Sequence, residues 1–285
     1  VPMLLMIGWR GEPNVKDEPQ HKKQGRVTLQ MLDAMEVPYQ VLSIDTSDEE
    51  ALEIIKKASE EALQNSTPYA IVVKKGSFSQ YELKKDDSAD LPLFREDAIK
   101  VIVDNLGDRD IVVSTTGVAS RELFEYREEL EQGHEKDFLT VGGMGHASQI
   151  ALGIALQKPD RRVFCLDGDG AALMHLGALA ISGNTPGDNF KHIIFNNGAH
   201  DSVGGQPTVG YLTDFQGIAK ASGYALVLHA ETKVSVQKCI KELKLFKGNV
   251  FLEIKVKKGF RKNLGRPTTT PKENKLNVMK FIKDM

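Results

Sequence analysis

Cysteine is scarce in this sequence, and an excess of either charge is missing. Cys165 and Cys239 are the only cysteines among 285 residues, and Cys165 falls in an apolar run that is typical of a strand. A disulfide framework is therefore not expected, and a reducing, cytoplasmic compartment is favoured. The 37 basic and 39 acidic residues leave a net charge of −2, which gives no general attraction to nucleic acid or to an anionic membrane.

Long apolar runs and the common nucleotide-binding loops are missing as well. No run reaches the length of a membrane span, and neither GxxxxGK[ST] nor GxGxxG occurs, which disfavours a Mg-nucleotide-binding α/β domain. The first residues, VPMLLMIGWRG, lack an initiator methionine and begin directly with a buried-type strand. We expect this stretch to be the middle of a domain, whose upstream part is missing from this sequence or carried on another chain.

Apolar strands alternate with amphipathic helices along most of the chain. One series runs from the strand PMLLMIG to the strand YAIVVKKG, and a second runs from the helix REDAIKVIVDNLG to the strand NVFLEIKVKKG. This alternation predicts an α/β fold of parallel sheets flanked by helices. The polar stretch between the two series predicts a linker. The predicted division is residues 1–78, a linker over 79–94, and residues 95–285.

A carboxylate and an amide follow two neighbouring strands of the second series. Asp169 lies in GDG and Asn197 in NNG, 28 residues apart, with one helical crossover between them. Ligands bind beyond the carboxyl ends of parallel strands, and these two strands can be neighbours in the sheet. Carboxylate and amide oxygens suit Mg²⁺ or Ca²⁺. Gly168 and Gly170 allow the backbone to approach a phosphate, and the helix that starts near Ala171 directs its N–H groups toward it.

The combination of GDG and NN resembles the signature of thiamine diphosphate enzymes. GDGAALMHLGALA and NNGAHDSVGGQPT are similar to one branch of that superfamily, the phosphonopyruvate decarboxylases, with the sulfopyruvate decarboxylases as near kin. GWRGEPNVKDEPQHKKQGRVT, STTGVASRELFE, VGGMGHASQIALGIAL and RKNLGRPTTTP are similar to the same branch, so the resemblance covers nearly the whole chain. It implies the thiamine diphosphate-binding fold, with residues 1–78 as the C-terminal part of a pyrimidine-binding domain that is incomplete at its N-terminus. Residues 95–285 would be the diphosphate- and Mg-binding domain.

The resemblance implies roles for the residues around GDG and NN. Asp169, Asn197 and the carbonyl of Ala199 would bind Mg²⁺. Beside Gly168, the backbone of Gly170 and Ala171 would hold the diphosphate of the cofactor.

Two further expectations about the cofactor come from the same resemblance. Met144 would bend the cofactor, and the carbonyl of Gly142 would accept a hydrogen bond from its 4′-amino group. In the family, the glutamate that protonates the pyrimidine lies upstream of the segment that is similar to Val1–Gly11. We therefore expect that the chain as printed does not activate the cofactor by itself.

The implied reaction is the decarboxylation of 3-phosphonopyruvate to phosphonoacetaldehyde and CO₂. The substrate carries a carboxylate and a phosphonate, so it needs cationic or hydrogen-bonding groups. Imidazole titrates near neutral pH and can transfer protons, whereas His146 and His175 are expected to be structural core residues. The candidates are His21 and His200 for proton transfer, and Arg10, Gln20, Ser202, Arg261 and Arg266 for substrate binding.

Two other interpretations stay open at this point. The chain could be a sulfopyruvate decarboxylase, in which a sulfonate replaces the phosphonate, or a non-catalytic thiamine diphosphate-binding fragment or subunit. In the family, the site forms between domains of different subunits, which implies a homodimer or a higher homo-oligomer.

Overall fold

A computed structural model of the chain describes residues 1–79, 81, 90–185 and 187–283. The chain divides into two compact units, Val1–Lys85 and Asp86–Met285. Both are built on parallel sheets flanked by helices, which confirms the predicted fold class. Much of the predicted linker, residues 80 and 82–89, lies outside the described residues. Among the described residues, no helix combines the length and apolar character needed to cross a bilayer.

The first unit is a three-stranded parallel sheet with strand order β1-β3-β2. One face of the sheet packs on apolar residues of α1, and the other packs on α2. Ser47 begins α2 with a capping box, as its spacing from Glu50 requires. The elements are β1 (Met3–Gly8), α1 (His21–Ala34), β2 (Tyr39–Leu42), α2 (Asp48–Asn65) and β3 (Pro68–Val73).

The polar loop after β1 is ordered around one carboxylate, that of Asp17. Its oxygens accept hydrogen bonds from Arg10 Nε at 2.9 Å and from the backbone N–H groups of Gly11 and Glu18, both at 2.7 Å. His21 Nδ1 lies 3.0 Å away. The Arg10 guanidinium, followed by His21 and the two N–H groups, holds the pKa of Asp17 well below its usual range. The loop therefore depends on Asp17 in its ionised form.

Helix α1 begins at His21, five residues before the helix that the apolar spacing predicts at Arg26. The first turn carries polar side chains, so hydrophobic periodicity does not reveal it. A Cβ added at Gly25 would overlap the backbone of Gly11, and Trp9 Nε1 donates to the Gly25 carbonyl at 2.8 Å. Glycine at these positions lets the loop and the helix lie in direct backbone contact.

The second unit contains a six-stranded parallel sheet and a short antiparallel hairpin. Its helices are α3 (Arg95–Asp104), α4 (Val118–Glu129), α5 (Ala147–Gln157), α6 (Asp169–Met174), α7 (Gly177–Asn184), α8 (Phe215–Ala221), α9 (Lys233–Leu245) and α10 (Pro271–Lys283). Its strands are β4 (Ile111–Ser114), β5 (Asp137–Leu139), β6 (Val163–Gly168), β7 (Phe190–Asn196), β8 (Ala199–His200), β9 (Gln206–Pro207), β10 (Leu226–Ala230) and β11 (Val250–Lys255).

The large sheet has strand order β10-β11-β7-β6-β4-β5, so β6 and β7 are central neighbours. Residues of α3, α4 and α9 cover one face, and residues of α5, α7, α8 and α10 cover the other. The central strands β6 and β7 are buried on both sides along nearly their whole length, and apolar residues predominate in both for that reason. This buried sheet fixes the positions of the loops that follow its strands.

Two features of the second unit differ from the sequence prediction. The single helix predicted over residues 171–183 is divided into α6 and α7 at His175 and Leu176. Helix α10 was not predicted. The side chain of its Asn274 forms hydrogen bonds with the backbone of the edge strand β5. Asn274 Oδ1 accepts from the N–H of Leu139 at 3.0 Å, and its Nδ2 donates to the carbonyl of Asp137 at 2.8 Å. A side-chain amide thus replaces a further strand at this edge.

We predict that Asp17→Asn lowers the free energy of unfolding of the first unit by about 1.5–3 kcal/mol at pH 7, the range for hydrogen bonds to a charged group. Because the folded pKa is lowered, the contribution is fully present above about pH 4 and is lost as the pH falls below it. Denaturant titrations followed by the fluorescence of Trp9, the single tryptophan, measure this. Glu60→Gln on the exposed surface of α2 is the control. A difference between parent and Asp17→Asn that stays constant down to pH 2 would contradict the prediction.

Candidate active site

The ends of β6 and β7 bring Asp169 and Asn197 together. The two strands pair in parallel, with Gly168 opposite Phe195, so the residues that follow them emerge at the same edge of the sheet. The backbone N–H of Asn197 lies 3.5 Å from Asp169 Oδ1. Both side chains are buried, with 1% and 3% of their residues' surface exposed.

A small cavity of about 50 Å³ lies at this edge and receives residues from several loops. They follow β4, β6 and β7 or precede α5, as expected of a site at the carboxyl ends of parallel strands. Among the residues that line it are Thr115, Thr116, Met144, Gly168, Asp169, Gly170, Ala171, Asn197, Ala199, His200 and Ser202.

The carboxylate of Asp169 is buried without a cationic side chain beside it among the described residues. Its Oδ2 accepts a hydrogen bond from the hydroxyl of Thr208, and the backbone N–H of Asn197 faces its other oxygen. Burial raises the pKa of Asp169, and the hydroxyl and N–H groups oppose this shift. A buried carboxylate with only neutral donors gains most from a bound cation.

Asn197 and Ala199 add neutral oxygens to the same cavity. Asn197 Nδ2 donates to Asp201 Oδ2 at 2.7 Å, and Asn197 Oδ1 accepts from the N–H of Ala199 at 3.3 Å. An amide oxygen has two lone pairs, so Oδ1 retains one for a ligand. Carboxylate, amide and backbone carbonyl oxygens are the donor set that Mg²⁺ accepts, so these residues fit such an ion.

The loop after Asn197 is a hairpin that returns to Asp169. Strands β8 and β9 pair antiparallel and are joined through Gly204 and Gly205, both with positive φ. Thr208 follows β9, donates to Asp169, and accepts from the N–H of Gly210 at 3.0 Å. The sequence motif NNGAHDSVGGQPT therefore has a structural reason, since both of its ends contact the same carboxylate.

Two glycines in this region are required by close packing. A Cβ at Gly170 would overlap the imidazole ring of His200, which lies against the turn after β6. Gly198 has a φ of +64°, and a Cβ there would overlap the ring of Tyr211. The Tyr211 hydroxyl donates to the carbonyl of Val256 at 2.9 Å. Because these glycines lack side chains, the rings of His200 and Tyr211 pack directly against the turns that follow β6 and β7.

Thr115 is a site residue that the sequence reasoning did not single out. It follows β4, is 5% exposed, and its Oγ1 has no hydrogen-bond partner in the described structure. The next turn begins α4 at Val118, with Gly117 as N-cap and no side-chain cap. A buried hydroxyl without a partner is costly unless a ligand completes it. The sequence feature that could have indicated Thr115 as a site residue is STTG, which lies at a strand-to-helix turn.

Other predicted residues of the second unit are not among those that line this cavity. Arg261 forms ion pairs with Glu96 and Glu125, which line a separate cavity. Arg266 is exposed, and Gly142, with a φ of +72°, lies in the loop just before Met144.

The interpretation of His146 and His175 as core residues is wrong. Both are exposed, and their rings contact each other with centroids 4.2 Å apart. The apolar residues around them in sequence suggested a buried position, but each lies at a break or an end of a helix.

Arg10, Gln20 and His21 belong to the first unit. Arg10 and His21 are both engaged with Asp17, and Gln20 is exposed at the start of α1. Their assignment to substrate binding and proton transfer stays a prediction.

Known proteins match this chain in both units. Residues 116–254 match the family described as thiamine pyrophosphate enzyme, C-terminal TPP binding domain. A phosphonopyruvate decarboxylase of Streptomyces viridochromogenes is 33% identical over 300 residues, covering 99% of this chain and 73% of that protein. One of Streptomyces hygroscopicus is 32% identical, covering 96% and 70%. A sulfopyruvate decarboxylase subunit beta of Methanocaldococcus jannaschii is 39% identical over 151 residues, covering 53% and 75%.

Among solved structures, a candidate thiamin diphosphate-dependent enzyme from Mycobacterium smegmatis matches with a TM-score of 0.48 and 16% identity, over 89% of this chain. The chain spans about half of that protein, 48%. The two Streptomyces relatives match both units of the chain, and the family match includes the turns that carry Asp169 and Asn197. The chain belongs to the thiamine diphosphate-dependent 2-oxo acid decarboxylases, in the phosphonopyruvate decarboxylase family.

Proposed function

We propose that this chain decarboxylates 3-phosphonopyruvate to phosphonoacetaldehyde and CO₂ with thiamine diphosphate and Mg²⁺. The observation that carries the proposal is the cavity in which the buried carboxylate of Asp169 meets Asn197 and Ala199. Relatives named phosphonopyruvate decarboxylase match over nearly the whole chain and support the choice of substrate.

Mg²⁺ would be held by the oxygens of Asp169, Asn197 and Ala199. The carboxylate supplies the charge, and the two neutral oxygens complete part of the coordination shell, which Mg²⁺ shares with phosphate oxygens and water. Asp169 is already fixed by Thr208 and by the N–H of Asn197. The site therefore requires little reorganisation when the ion binds.

The diphosphate would bind the backbone of Gly170 and Ala171 beside Gly168, and the hydroxyl of Thr115 would donate to it. Met144 lines the same cavity and is proposed to contact the organic part of the cofactor, next to the carbonyl of Gly142. When bound, thiamine diphosphate supplies the electron sink that decarboxylation requires.

The substrate would be recognised by cationic and hydrogen-bonding groups, because both of its ends are anionic. Ser202 and His200 lie at the cavity itself. His200 and His21 are proposed to transfer protons. The remaining proposed substrate contacts are Arg10, Gln20, Arg261 and Arg266.

A sulfopyruvate decarboxylase is the second candidate. It is favoured by the 39% identity to a protein named sulfopyruvate decarboxylase subunit beta, over residues that make up 53% of this chain. We also propose that the active form is a homodimer or a higher homo-oligomer. The name of that relative, a subunit, supports an oligomer in general.

We predict that thiamine diphosphate binds this chain only with Mg²⁺ and that Asp169→Ala abolishes this binding. The variant removes the only charged oxygen ligand of the proposed set, and the ion has no comparable ligand left. Calorimetry with and without Mg²⁺ measures the effect. Asp110→Ala is the matched control, because Asp110 is a buried carboxylate paired with Arg162 before β4, at the opposite end of the sheet. Equal Mg²⁺-dependent binding by parent and Asp169→Ala would contradict the proposed Mg²⁺ site.

We predict that Thr115→Val weakens thiamine diphosphate binding by about tenfold, the loss of roughly one hydrogen bond to a charged group, without lowering the stability of the unliganded chain. The hydroxyl has no partner before the ligand binds, so its removal costs the folded chain nothing. Thr140→Val is the control, because the hydroxyl of Thr140 donates to the Ser114 carbonyl at 2.8 Å. Thermal denaturation and calorimetry measure the two effects. Loss of stability with unchanged affinity would assign Thr115 to the fold alone.

We predict that the active form of this protein releases CO₂ from 3-phosphonopyruvate with a kcat/KM at least about tenfold above that for sulfopyruvate. The two acids share a shape, but the phosphonate carries more charge for the site to match. Coupled assays of CO₂ release on each acid measure the ratio. A ratio reversed in favour of sulfopyruvate would establish the second candidate, and turnover of neither acid would reject both.

A further inference from the structure

Asp201 lies four residues after Asn197, in the turn of the hairpin that covers the cavity. Its side chain is 5% exposed. One oxygen, Oδ2, accepts from Asn197 Nδ2 at 2.7 Å, from Arg95 Nη1 at 3.1 Å, and from the N–H of Gly259 at 3.1 Å. A buried carboxylate oxygen with three donors holds its neighbours in defined orientations.

The contact with Asp201 decides which way the Asn197 amide points. A carboxylate oxygen accepts hydrogen bonds and does not donate them, so the branch of the amide that faces it is the NH₂ group. The oxygen and nitrogen of an amide lie on opposite branches of one plane. The hydrogen bond therefore turns Asn197 Oδ1 away from Asp201, with its second lone pair available to a cation.

Arg95 fixes Asp201 in turn. The guanidinium is 6% exposed and makes a two-bond pair with Glu122, with Nε and Nη2 at 2.8 and 3.2 Å from its carboxylate oxygens. Its remaining nitrogen reaches Asp201. Asp201 thus shares the Arg95 guanidinium with Glu122, whereas Asp169 has no cationic partner among the described side chains. The two carboxylates are suited to different tasks, one to hydrogen bonding and one to a metal ion.

We propose that Asp201, held by Arg95, is a positioning residue that keeps the Asn197 amide oxygen turned toward the cation beside Asp169. The inference rests on the proposed Mg²⁺ site formed by Asp169, Asn197 and Ala199. Without Asp201, the Asn197 amide loses its partner, and the cation itself has to order the ligand. Partners of metal ligands commonly change metal affinity by about 10- to 100-fold when they are removed.

Two substitutions of Asp201 separate hydrogen bonding from charge. Calorimetry at fixed thiamine diphosphate gives the Mg²⁺ concentration for half-maximal binding. Asp201→Ala is expected to raise it by about 10- to 100-fold. Asp201→Asn keeps an oxygen that can take the place of Oδ2, so we expect a rise of less than about fivefold. An asparagine as deleterious as alanine would overturn the proposal in favour of simple charge attraction.

A double-mutant cycle separates positioning from general damage to the hairpin. In Asn197→Asp, both side-chain oxygens are equivalent, so no partner is needed to select one. Adding Asp201→Ala to Asn197→Asp is expected to change the Mg²⁺ midpoint by less than about twofold, or to lower it by relieving repulsion. An equal loss in both backgrounds would mean that Asp201 acts only through the fold. Asp110→Ala, with its two-bond pair to Arg162, is the control for loss of a buried ion pair.

A second measurement does not depend on the cofactor. The side-chain NH₂ resonances of Asn197, identified by their absence in Asn197→Asp, are expected to be protected from exchange with water in the parent and unprotected in Asp201→Ala. Rapid exchange in the parent would overturn the proposed orientation. Absence of Mg²⁺-dependent binding in the parent would instead reject the proposed function, while the resonances would still test the role of Asp201.

Discussion

The burial of one carboxylate, that of Asp169, governs the architecture of this site. An ionised group at the end of a buried strand is costly unless it is paired or bound to a metal. Here it receives a hydroxyl from Thr208 and N–H groups from the backbone, but no cationic side chain among the residues described. A bound divalent ion would offset the remaining free-energy cost of burying the ionised carboxylate. The turn after β6, the hairpin and the Asn197 loop are all arranged around this one group.

Packing explains how the turn and the hairpin stay in place around Asp169. Gly170 and Gly198 lie beneath the rings of His200 and Tyr211, where a side chain would not fit. A Cβ at Gly210 would likewise overlap the Asp169 carboxylate. Side chains thus lie in direct contact with glycine backbone at three places in this region. A loop held this way positions its polar groups without a large apolar core of its own.

The sequence was informative where the chemistry depends on strand ends. Asp169 and Asn197 follow apolar strands separated by one crossover, and the register of β6 and β7 places them side by side. Thr208 and Thr115 were not assigned, because their roles arise from contacts across the fold. Thr208 meets Asp169 across 39 residues, and Thr115 is identified by a missing partner, which no spacing encodes. The break between α6 and α7 was missed because the apolar residues continue through it.

The two ends of the large sheet differ in how their buried polar groups are paired. At the amino ends of the strands, two buried charges are satisfied by the protein itself: Asp110 is paired with Arg162, and Lys191 donates to three backbone carbonyls. At the carboxyl ends, Asp169 lacks a counter-charge and Thr115 lacks any partner among the described residues. Satisfying these groups internally would stabilise the fold and would also fill the positions that a ligand needs. The carboxyl ends combine a buried carboxylate that has no counter-charge with a hydroxyl that has no partner in the same cavity, and this combination favours that end as the functional one.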